Sequence, residues 1–123
     1  MLSHVSIGVS DIGQSKAFYE KVLAPLGYVC VLTKDHAIGF GQPGGEDKLT
    51  LFAKPGQIIV PSLGFHLAFR APTAQAVDYF HAMAILAGGR DEGRPGPRPK
   101  YGPTYYAAYI GDLDGYKLEA HHQ

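Results

Sequence analysis

GFHLAFRA, residues 64–71, runs the same programme as LSHVSIGV, residues 2–9. Leu67, Phe69 and Ala71 alternate with His66, Ala68 and Arg70, as Val5, Ile7 and Val9 alternate with His4, Ser6 and Gly8. A period of two is that of a half-buried strand. Each strand leads into a helix: Ser10 or Asp11 caps one carrying Phe18, Val22 and Leu23, and Thr73 caps one carrying Val77, Phe80 and Ala84. His4 and His66, Phe18 and Phe80, and Gly27 and Gly89 are all 62 positions apart (66 − 4, 80 − 18, 89 − 27). That offset is about half of the 123 residues, so the chain reads as two copies of one βαβββ unit. The copies occupy about 1–56 and about 57–123 of a single domain spanning 1–123.

The segments between agree with that reading. Residues 28–33, 37–40 and 48–54 read as strands and 55–63 as a connector. Residues 88–103 (GGRDEGRPGPRPKYGP) are too rich in glycine and proline for a helix or a central strand and read as a long loop, whose Arg98 can grip a carboxylate or phosphate. The closing stretch, 115–123 (GYKLEAHHQ), sets Leu118 and Ala120 on one face and Lys117, Glu119 and His121 on the other. Lys48-Leu49-Thr50 aligns with Lys117-Leu118-Glu119 at an offset of 69 (117 − 48), the seven extra residues fitting the longer second-half loop. A pseudo-twofold arrangement therefore predicts four facing positions: His4, Thr50, His66 and Glu119. Three of them are good metal ligands.

Composition removes several classes of function. Eleven basic and eleven acidic side chains give zero formal charge, so no global field draws the chain to nucleic acid or to an anionic membrane. No uncharged stretch reaches the length of a membrane span, and no secretory leader pattern opens the chain. The single cysteine, Cys30, cannot form an internal disulfide, which fits a cytoplasmic location. A chain of this size buries a core unaided, so a metal here serves chemistry and not folding.

Three pieces carry a family resemblance: HVSIGVSDIGQSKAFYEKVLAPLGY, GFHLAFRAPTAQAVDYFHAMAILAGG and YYAAYIGDLDGYKLEA. Together they cover most of the chain, and it resembles the vicinal oxygen chelate superfamily, which holds glyoxalases, extradiol dioxygenases and the bleomycin and fosfomycin resistance proteins. The resemblance implies an α+β fold in which two pseudo-symmetric βαβββ modules form a curved mixed sheet around a cavity, helices outside, in a homodimer. It also implies that metal is held on the first and last strands of each module, here at His4, His66 and Glu119. Lactoylglutathione lyases carry a carboxylate where this chain has Thr50, which argues against that activity. Two histidines and a carboxylate suit a divalent ion, Fe, Mn, Zn or Ni.

The expected function is that of a metal-dependent enzyme acting on a small oxygenated substrate, by lyase, isomerase or dioxygenase chemistry. The alternative is a non-catalytic binding or resistance protein that sequesters its ligand. Thr50, Phe52, Arg98, Tyr105, Tyr109 and His121 are the expected substrate-binding residues, the two tyrosines sharing one strand face.

Overall fold

The computed structural model describes residues 1–123. Strand β1 (Val5–Val9), helix α1 (Ile12–Leu23) and strands β2 (Val29–Thr33), β3 (Ala37–Gly41) and β4 (Leu49–Ala53) make the first module. Strand β5 (Leu67–Arg70), helix α2 (Ala74–Leu86) and strands β6 (Arg90–Pro97), β7 (Tyr106–Gly111) and β8 (Lys117–His122) make the second. Each module has its own four-stranded mixed sheet, ordered β1-β4-β3-β2 and β5-β8-β7-β6. In both, the opening strand lies parallel to the closing one, and the other pairings are antiparallel.

The repeat holds in register. Ser6 pairs with Thr50 and Ala68 with Glu119. His4 and His66 each stand two residues before those pairs, so every module sets a histidine beside the closing-strand position named from the sequence.

Local chemistry sets the helix ends. The Asp11 carboxylate accepts from the Gln14 amide at 2.9 Å, and the Thr73 hydroxyl accepts from the Ala76 amide at 3.0 Å. After α1 a short 3₁₀ turn through Pro25 ends on Gly27, at φ +89°. The second module differs by one residue: Gly88, not Gly89, takes the left-handed conformation, at φ +97°. Gly89 is there for closeness, since a Cβ on it would lie 2.8 Å from the Gly111 carbonyl and 2.9 Å from that of Ala84.

The helices pack on each other and on the sheet faces opposite the polar ones. A single core of 20 buried residues runs through both modules, among them Val9, Phe18, Leu51, Phe80, Ile110 and Leu118. No helix is long and apolar enough to cross a membrane.

Residues 88–103 depart from the loop expected of them, because Arg90–Pro97 form β6. β6 is the outermost strand and pairs only with β7, so its prolines break no inner ladder. Register shifts on both sides of Gly93 absorb the surplus residues as bulges. A Cβ on Gly93 would come within 2.8 Å of the Tyr109 ring, and its absence lets that ring lie against the backbone.

The turn before β8 fixes where Glu119 emerges. Asp112 accepts from the amides of Asp114 at 2.9 Å and Tyr116 at 2.8 Å, and Gly115 completes the turn at φ +92°. The turn is stitched to the first module: Asp114 accepts from the Ser10 hydroxyl at 2.6 Å, and the Tyr116 hydroxyl donates to the Gly8 carbonyl at 2.8 Å. The buried Tyr19 hydroxyl donates to Asp112 at 2.5 Å.

Desolvation raises the carboxyl pKa of Asp112 despite these three donors. A raised native value means that its contribution to stability is full in acid and is lost as pH rises through that value. Asp112→Asn, which cannot ionise, is therefore expected to gain on the wild type between about pH 4 and about pH 7. Urea denaturation of both proteins at the two pH values checks this, a constant difference between them being the contrary result.

Candidate functional site

The second sheet brings together two of the expected metal ligands. His66 Nε2 lies 2.7 Å from Glu119 Oε1, and the Tyr105 hydroxyl donates to Glu119 Oε2 at 2.5 Å. The Glu119 side chain is only 4% exposed, whereas that of His66 is 40% exposed. A carboxylate so enclosed needs partners, and these two supply them. Burial, then the hydrogen bond and charge of Glu119, push the Tyr105 phenol far above its ordinary value. Burial raises the Tyr109 phenol as well. Both shifts keep these hydroxyls protonated, hence able to donate.

His121 stacks flat on Tyr105, with centroids 4.9 Å apart and planes 1° from parallel. Its Nδ1 is the one buried side-chain polar atom without a hydrogen-bond partner. Tyr106 points the other way, donating to Asp78 of α2 at 2.6 Å. The tyrosine alternation expected from the sequence is thus present.

His66, Glu119, Tyr105 and Tyr109 line an open cavity of about 770 Å³ on the second sheet, whereas His121, also expected to bind substrate, stands behind Tyr105 and is not on its wall. Tyr105, Tyr109 and Arg98, expected from the sequence, lie on its wall, and so do Lys100 and Lys117. Phe52 belongs to the first sheet, where it is 40% exposed, and takes no part in this wall.

His4 and Thr50 also remain with the first sheet. His4 is exposed, its Nδ1 3.0 Å from the Ser3 hydroxyl, and Thr50 is buried with its hydroxyl donating to Asp47. No group of three or more metal-ligating side chains converges within the chain. One copy therefore unites His66 with Glu119 and keeps His4 apart from them.

Asp47 is the residue that sequence reasoning missed. Its Cβ lies 2.6 Å from where a Cβ on Gly39 would stand, so its side chain fills the space over that glycine. Gly39 pairs with Thr50 as Tyr109 pairs with Glu119. Where the second module carries a tyrosine, the first leaves room and folds a carboxylate into it. The signal was a glycine standing across the repeat from a tyrosine. The Thr50 hydrogen bond holds the Asp47 carboxyl below its ordinary value, with the neighbouring His4 among the smaller causes.

A protein-family model described as the Glyoxalase/Bleomycin resistance protein/Dioxygenase superfamily matches residues 1–120. The chain belongs to that superfamily. A glyoxalase/bleomycin resistance protein from Albidiferax ferrireducens T118 is similar over all of this chain and 99% of its own, at 34% identity and a TM-score of 0.84. Two more distant structures share the fold. A fosfomycin resistance protein from Listeria monocytogenes has 20% identity and a TM-score of 0.70, with 100% of this chain and 93% of that chain covered. A glyoxalase I variant from Zea mays has 23% identity and a TM-score of 0.72, and 97% of this chain covers 45% of that one. No curated protein matches the sequence.

Proposed function

We propose that this protein is a metal-dependent enzyme of its superfamily that acts on a small oxygenated substrate, and that it works as a homodimer whose two sites each draw on both copies. The observation that carries this reading is the 2.7 Å contact between His66 and Glu119 at the edge of a substrate-sized cavity. Two histidines and carboxylates are a suitable donor set for Fe, Mn, Zn or Ni. An open catalytic site commonly needs about three protein ligands, and one chain offers two. The matching register of the first sheet supplies the remainder from a second copy: His4, with Asp47 standing in for the carboxylate that Thr50 lacks.

His66, Glu119 and the second copy's first module would hold the ion, which when bound supplies Lewis-acid polarisation of substrate oxygens. The rest is done by the chain itself. Tyr105 holds Glu119 in one orientation through its hydrogen bond, and His121 packs that ring in place. The tyrosine wall displaces water from beside the substrate. Lyase, isomerase and dioxygenase chemistry are all compatible with these groups.

Metal analysis of the purified protein tests this. About one divalent ion per chain is expected, falling to background in His66→Ala with dimer size unchanged. A wild-type protein holding no divalent ion after growth with each of the four metals would remove the proposal.

A further inference from the structure

The charges on the cavity wall are unevenly matched. Its two carboxylates are engaged: Glu119 with His66, and Glu92 with Arg90 at 3.7 Å. Its three cations, Arg98, Lys100 and Lys117, form no ion pair within the chain. In a molecule of zero net charge, three unpaired cations gathered on one concave wall make a local field for an anion.

Geometry says more about the shape of that anion. The Arg98 guanidinium carbon stands over the Tyr109 ring, 5.5 Å from its centroid, and the Lys117 ammonium stands over the same ring at 5.2 Å. Arg98 is also held by the end of β6, donating to the Pro97 carbonyl at 3.2 Å and to the Arg94 carbonyl at 2.6 Å. Two of its five N–H groups are thereby used and the others are free for a ligand. Glycine at 93 lets the Tyr109 ring sit deep enough for both cations to reach its surroundings.

We infer that the cavity takes a small oxyanion, a carboxylate or phosphate, gripped by Arg98 and Lys117 where they stand over the Tyr109 ring. This rests on the cavity being the substrate site, but it does not need the metal. A planar guanidinium matches either head group in bidentate fashion, and the lysine adds a point charge beside it. Neutral and cationic molecules of the same shape lose the grip.

Isothermal titration calorimetry on the full chain provides the test, with benzoate, phenyl phosphate and benzamide as probes. At least one of the two anions is expected to bind about tenfold or more tighter than benzamide, as a charge-assisted hydrogen bond allows, and the tighter anion identifies the head group. Arg98→Gln and Lys117→Met should each weaken that binding by about tenfold, and Lys34→Met, at an exposed lysine between β2 and β3, should leave it unchanged. Equal binding of benzamide, indifference to both cavity substitutions, or equal weakening by Lys34→Met would each overturn the inference.

The titration is repeated after EDTA stripping. Retained binding assigns the grip to Arg98 and Lys117, whereas loss assigns it to the metal, overturning this inference and leaving the metal reading intact. A wild-type protein that binds benzoate but contains no metal does the opposite: the metal reading falls and the anion grip stands.

Discussion

Mixing two variants that each fail to hold metal, His4→Ala and Glu119→Ala, is expected to restore about one quarter of the wild-type metal content. The expectation follows from the proposed division of metal ligands between the modules. In a homodimer whose sites each join one copy's first module to the other's second, both single variants spoil both sites. A mixed dimer places the two lesions in the same site and leaves the other site whole. Random exchange makes about half of the dimers mixed, each with one working site of two, hence the quarter. The measurement is metal per chain after co-refolding equal amounts of the two variants. Recovery of nothing would mean that His4 and Glu119 serve the same site from one copy, or no shared site at all.

Phe80→Ala is expected to cost about 3–5 kcal/mol of folding stability, the usual range for emptying an aromatic position in a packed core. Phe80 has no exposed surface and belongs to the core that both modules share. Against a total of about 5–15 kcal/mol for an ordinary domain, that loss leaves the protein close to its unfolding threshold. Urea denaturation checks it: the midpoint should fall steeply while the slope stays constant. A change below about 1 kcal/mol would show that the site collapses around the missing ring.

Much of this architecture was legible because the same instructions occur twice. Alternation in residues 2–9 and 64–71, with a capping residue after each, was enough to set the strand and helix order, and the offset of 62 then joined the halves. Glu119 was legible for the same reason, standing where its strand's parity called for a polar-face residue. What escaped was whatever depended on the path of the chain outside the repeat. β6 hid behind its prolines, since composition records their missing N–H groups but not that an edge strand tolerates them. The cationic wall needed Lys117 and Arg98 to meet around one ring, a contact between elements that no local pattern encodes. Asp47 was hidden because it reaches Thr50 from the preceding turn and not from the strand.

The contact over Gly39 has a consequence for how duplicated modules drift apart. A methyl group at position 39 would collide with Asp47, and the carboxylate could then no longer rest on Thr50. Positions 39, 47 and 50 thus act as one packing unit, in which a side chain at 39 would displace the carboxylate that Thr50 donates to. In the second module one strand residue, Glu119, carries its carboxylate directly. A gene duplicated from such a unit has two ways to present the same charge at the same register, and the three-residue way leaves the strand itself free of an ionised side chain.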